Sequence, residues 1–120
     1  MKIPRPSDTD RAFFQSALPK DHRVQVRPMF GNDAAFVNGN MFAGLFGRDL
    51  FVRLSEKDQS ELLGETGSSK FAPMKGRPMS GYIILPGAWR ANPEKAGVWL
   101  ERSLVWASGL PAKAAKKPRR

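Results

Sequence analysis

Cysteine is absent from the 120 residues, and histidine and tyrosine occur once each. The first absence excludes a disulfide scaffold and any zinc or iron–sulfur site built on thiolates. A lone imidazole, His22, cannot supply metal geometry and leaves little for acid–base chemistry near neutral pH. It follows the helix-breaking Pro19 and stands beside Asp21, so it is expected in a solvent-facing loop. No Ser sits in a nucleophile elbow, and Gly64-Glu65-Thr66-Gly67-Ser68-Ser69-Lys70 lacks the Gly-x-x-x-x-Gly-Lys-Ser/Thr spacing of a phosphate loop. No catalytic residue, metal ligand or cofactor is expected. Long apolar runs are missing too: the richest, Met41 to Gly47, falls far short of the ~20 residues of a membrane span. The segment Met1–Pro6 lacks the apolar stretch of a signal peptide. The expected compartment is the cytoplasm.

Acidic residues are also scarce, 11 against 20 basic ones, for a formal charge of +9. The excess is unevenly placed. The last eight residues carry Lys113, Lys116, Lys117, Arg119 and Arg120 and no acid; Lys2 and Arg5 sit in the first six. The body between is nearly balanced. Residues 1–6 are therefore expected as an extended arm, 7–110 as one domain and 111–120 as a basic flexible tail. Such a tail attracts polyanions through counterion release, or simply aids solubility.

What is present is a core: 41% of the residues are hydrophobic, with eight Phe and three Trp. Ser7 and Asp10 have capping-box spacing, opening a helix over about 8–18 with Phe13, Phe14, Ala17 and Leu18 on one face. The period then becomes two. Val24 and Val26 alternate with polar neighbours, and Ala35-Phe36-Val37 leads into Asn38-Gly39, a hairpin signal because both residues tolerate positive φ. Met41 to Phe46 and Leu50 to Leu54 continue a meander across Gly47-Arg48-Asp49. Ser55 to Asp58 is a second capping box, before a short helix ended by Gly64 and Gly67. Residues 64–81 read as a long loop that Phe71 and Met74 pin to the body, and Tyr82 to Leu85 as a strand. Asn92 and Pro93 open the last helix, which Gly109 and Pro111 end. The expected fold is α+β: an antiparallel sheet with helices packed on it, in the order helix, about three strands, helix, one or two strands, helix.

In the last helix Ala96, Trp99, Leu100, Leu104, Trp106 and Ala107 share a broad face and are expected in the core. Val98 and Val105 fall on the opposite side, a second apolar stripe suited to a partner or to a second copy. In regular register Phe42, Phe46 and Phe51 share one sheet face beside Arg27 and Arg53, as on single-strand nucleic-acid binders; the expectation is that the helices cover it. Lys75 and Arg77, interleaved with Phe71, Met74 and Met79, are candidates for an anion or partner contact.

The run Arg27-Pro28-Met29-Phe30-Gly31, then Asn38-Gly39-Asn40-Met41-Phe42-Ala43, then Leu50-Phe51-Val52-Arg53-Leu54 resembles the N-terminal domain of the TfoX/Sxy family of bacterial proteins. Phe71, Lys75 to Met79, Tyr82 and the Trp-containing final helix also fit, so the likeness spans about residues 8–108. It implies a secretion-chaperone-like α+β arrangement and attributes no catalytic residue to the domain. Members are associated with control of natural competence, acting with the cyclic-AMP receptor protein on transcription. The full-length regulators carry a second, helical C-terminal domain, where this sequence has its basic tail. The expected function is that of a non-enzymatic regulatory or adaptor domain working through protein–protein contacts, in transcription and as a homodimer. The alternative is a nucleic-acid-binding accessory protein using Lys113 to Arg120, with Lys75 and Arg77 assisting.

Overall fold

The computed structural model of the chain describes residues 4–29, 31–73 and 78–112. Helix α1 (Asp8–Ala17) starts where the capping box places it. The Ser7 hydroxyl accepts from the Asp10 N–H, and the Asp10 carboxylate accepts from the Ser7 N–H. Four strands follow rather than three: β1 (Gln25–Met29), β2 (Asn32–Val37), β3 (Asn40–Phe46) and β4 (Asp49–Arg53). Asn38 and Gly39 both have positive φ, 51° and 79°, as the tight turn between β2 and β3 requires. Helix α2 (Glu56–Leu63) is capped by the Ser55 hydroxyl. Within the expected loop a two-residue strand, β5 (Ser69–Lys70), pairs with β6 (Tyr82–Ile84). A 3-10 turn over Gly87–Ala91, without a sequence signal of its own, precedes α3 (Pro93–Ser108), which Asn92 caps. The six strands form one antiparallel sheet in the order β1-β2-β3-β4-β6-β5.

The sheet separates two cores. Val37, Ala43, Leu45, Leu50, Val52, Leu54, Ile83 and Leu85 point toward the helices and meet Phe14, Trp99, Leu100 and Leu104. Gly97 lets α3 approach α1 closely; a Cβ there would lie 3.4 Å from the Ala17 carbonyl oxygen. The other face carries Phe51, Phe71 and Tyr82, flanked by Met29, Met41, Phe46, Met79 and Ile84.

Regular alternation places Phe42 with Phe46 and Phe51, and the structure departs from it. Ala35 pairs with Ala43, but Phe36 pairs with Met41, so β3 holds one extra residue. That bulge flips the parity of the strand. Phe42 turns into the helix-side core, while Met41 joins Phe46 and Phe51 on the far face. The aromatic face is covered not by helices but by Phe71, whose ring stacks on Phe51 at 4.2 Å, with Met79 packed beside it. Gly44, cross-strand from Phe51, makes this possible: a Cβ on it would sit 2.6 Å from the Phe51 ring.

The bulge also positions a hydroxyl. Ser103 of α3 is fully buried, with its Oγ 2.6 Å from the carbonyl oxygens of Phe42 and Arg53, which share its single proton. The helix is thereby tied to the irregular point of β3 and to the end of β4. Replacing Ser103→Ala leaves buried carbonyls without that donor, which costs about 1–3 kcal/mol. The expected outcome is a lower urea midpoint with an unchanged slope. Ser103→Val, which adds volume at the same spot, should lower it further.

Candidate functional site

The buried polar side chains hold the fold together. Asp10 is buried at the α1 N-terminus, where Arg90, from the 3-10 turn, pairs with it. Burial pushes its carboxyl up, but the Ser7 N–H and hydroxyl, with Arg90 and Arg48 nearby, more than offset this and hold it below the usual value. Asn32 donates to the Pro4 carbonyl (3.0 Å) and accepts from the Gly47 N–H (2.9 Å), fastening the N-terminal arm to the β3–β4 turn. The Arg5 side chain in that arm reaches over Gly31 while remaining exposed. Asn40 donates to the Pro111 carbonyl at 3.1 Å, which fixes the root of the C-terminal segment beside the Asn38-Gly39 turn.

Other titratable groups are perturbed for local reasons. Arg23 grips Asp21 through two side-chain hydrogen bonds and its own N–H, and holds that carboxyl well below the carboxylate range. Burial raises Asp49, partly offset by Arg48, and raises the Tyr82 phenol, partly offset by Arg53. His22 is in solvent, its side chain 95% exposed. Among the described residues no group of three or more His, Asp or Glu side chains could hold a metal ion, and no helix is long and apolar enough to cross a membrane.

Three of the five exposed large apolar side chains among the described residues lie on the outer side of α3; the others are Val26 on β1 and Leu63 on α2. Val98 is 53% exposed and Val105 63%, as their helical positions require. Trp106, expected in the core, is 40% exposed instead. Seven residues before it, Trp99 lies beneath the Arg102 guanidinium (4.4 Å) and is buried. By Trp106 the helix has drawn level with the start of α2, and the two leave an open groove of about 320 Å³ lined by Ser55, Asp58, Glu101, Arg102, Val105 and Trp106. Arg102 is anchored across it to Glu61 (3.0 Å) and Asp58 (3.6 Å) of α2.

Met29 and Gly31 of the Met-Phe-Gly element, and the Met-Phe-Ala residues, belong to the hairpins of β1, β2 and β3. Arg27 and Met29 lie on β1, with the Arg27 guanidinium 5.2 Å from the Phe36 ring centre. Gly31 takes φ 79° in the turn into β2, and Met41 and Phe42 flank the point where parity changes. A TfoX N-terminal domain family model matches residues 16–107. The chain belongs to that family. The match takes in β1 through nearly all of α3, so the bulge, the buried Ser103 and the outer face of α3 all belong to the TfoX N-terminal domain itself. A search of curated proteins returns no match. Phe30 and the cations Lys75, Arg77, Lys113, Lys116, Lys117, Arg119 and Arg120 lie outside the described residues, as does Met74.

Sequence reasoning finds Val98 and Val105 but misses the groove, Trp106 and the Asp10–Arg90 pair. Each of these depends on residues far apart in the chain. The Asp10 pair sets a pH signature for this TfoX N-terminal domain. Its carboxyl is lower folded than unfolded, so its contribution is present above about pH 4 and is lost as pH falls through the folded value. Asp10→Asn should cost about 1–3 kcal/mol at pH 7. Urea unfolding at pH 7, 4 and 3 should show the variant losing less stability on acidification than the parent.

Proposed function

We propose that this TfoX N-terminal domain is a non-enzymatic regulatory adaptor that works by docking another protein on the outer face of α3. One observation carries the reading: Val98, Val105 and Trp106 expose apolar surface on a helix whose opposite face is committed to the core, and Val105 and Trp106 line one groove. Isolated exposed apolar residues are ordinary, but a contiguous group rimmed by charge marks an interaction surface. The rim here is Asp58, Glu101 and Arg102. An indole and an arginine already held in place are favourable anchors, since little side-chain entropy is lost on binding. The family resemblance supports a role in transcriptional control, with the partner drawn from that machinery.

The test is affinity capture from a native extract, with and without nuclease, comparing the parent with Val98→Asp/Val105→Asp. Both side chains face water, so the variant should fold with a stability change within about 0.5 kcal/mol. A protein retained after nuclease by the parent and lost by the variant is the expected result. Equal capture by both would remove this surface from consideration.

A second reading rests on charge. Pro111 is held at the Asn40 side chain, and five cations follow it within nine residues. A tail rooted there would make non-specific phosphate contacts. Its binding to single- or double-stranded nucleic acid should fall steeply between about 50 and 200 mM salt and vanish on removal of residues 113–120. Affinity that survives the truncation would dismiss it.

A further inference from the structure

The outer face of α3 carries a charge pattern as well as an apolar one, and the pattern specifies a partner. At 100° per residue Val98 and Val105 stand within 20° of each other and form a crest along the helix. Glu94 and Glu101 run along one flank of that crest; Lys95 and Arg102 run along the other. The structure fixes which flank is which. Arg102 leans toward α2, bonded to Glu61 and Asp58, whereas Gly97, on the acidic side, touches Ala17 of α1. Val98, Val105, Glu94, Lys95 and Glu101 are all exposed.

We propose that the occupant of this face is a second copy of the chain, related by a two-fold axis parallel to α3, with the two helices side by side and pointing the same way. This rests on the reading of the α3 face as a docking surface and names its partner. A two-fold axis along the helix sets the left flank of one copy against the right flank of the other at the same height. Glu101 then meets Arg102 of the second copy, and Glu94 meets Lys95 of the second copy, each pair occurring twice. Val98 packs on Val98 of the second copy, and Val105 on Val105. An antiparallel arrangement instead sets acidic flank against acidic flank and basic against basic, so the charges select the parallel form. β-Branched residues in the seam are also those that suit parallel two-helix packing.

Size sets the strength. Sixteen residues of α3 span only about 24 Å, and the contact along one face of so short a helix falls below the ~800 Å² per partner of a standard stable interface. The dimer is therefore weak and concentration-dependent. Arg102 needs little reordering, because Asp58, Glu61 and the Trp99 ring already hold it with its side chain 39% exposed.

The chain has no cysteine, so single-cysteine variants report geometry without background. In the parallel dimer Val98→Cys and Val105→Cys each bring like thiols within disulfide range. Each variant alone should give a cross-linked dimer under mild oxidation, at a yield well above that of Ser69→Cys, placed on the edge strand β5. In parallel, sedimentation of the full chain from about 10 µM to 1 mM should show a monomer–dimer equilibrium, weakened at least ten-fold by Glu101→Arg. Cross-linking only in a mixture of the two cysteine variants means the antiparallel form and overturns the proposal. So does a monomer at every concentration, or self-association that Glu101→Arg leaves unchanged. If the chain stays monomeric while Val98→Asp/Val105→Asp still loses a captured protein, the docking reading stands and the second copy is not its partner.

Discussion

One extra residue in β3 governs the rest of the molecule. Side chains in a strand alternate with a period of two, so a single insertion reverses every assignment on one side of it. Here the reversal lies between Met41 and Ala43, and it sends the adjacent Phe42 and Ala43 to the same core while Met41 goes to the other. Phe42 fills the helix side, where a regular strand would have offered Met41. The far face receives Met41, beside Phe46 and Phe51. A bulge also leaves ladder groups in need of partners, and the Ser103 hydroxyl serves the Phe42 carbonyl. The helix that supplies that hydroxyl is thereby locked in rotation about its own axis. With Ser103, Leu100 and Leu104 turned inward, Val98 and Val105 have to face water.

The same economy appears in the other buried polar groups. Asp10 caps α1 with one set of contacts and receives Arg90 with another, joining the first turn of the domain to the last connection before α3. Asn32 and Asn40 hold Pro4 and Pro111 against the hairpins. These side chains are occupied in satisfying backbone or countering charge, as burial demands. The groups with freedom to engage a ligand are thus on the surface, and the largest apolar share of that surface is on α3.

The far face of the sheet shows how a small domain closes a second core without a second layer of helices. Phe71 enters from the segment after β5, stacks on Phe51 and meets the edge of Phe46. Tyr82 completes the cluster and donates to the Met41 carbonyl. Arg27 and Arg53 lie against the Phe36 and Tyr82 rings. Phe46, Phe51, Phe71 and Tyr82 are therefore engaged with one another, and Phe36 and Tyr82 with Arg27 and Arg53.

Features encoded within a few residues were legible from the chain alone. The capping residues Ser7, Ser55 and Asn92, the Asn38-Gly39 turn and the outward stripe of Val98 and Val105 each follow from local geometry, because the groups that decide them are within a turn or two of each other. The bulge, the cover over Phe51, the Asp10–Arg90 pair and the exposure of Trp106 were decided only by tertiary structure. Periodicity describes an uninterrupted strand and cannot register an insertion whose hydrogen-bond partner, a hydroxyl on α3, lies about sixty residues away. A helical wheel likewise gives the direction of an indole but not whether another element reaches far enough to cover it.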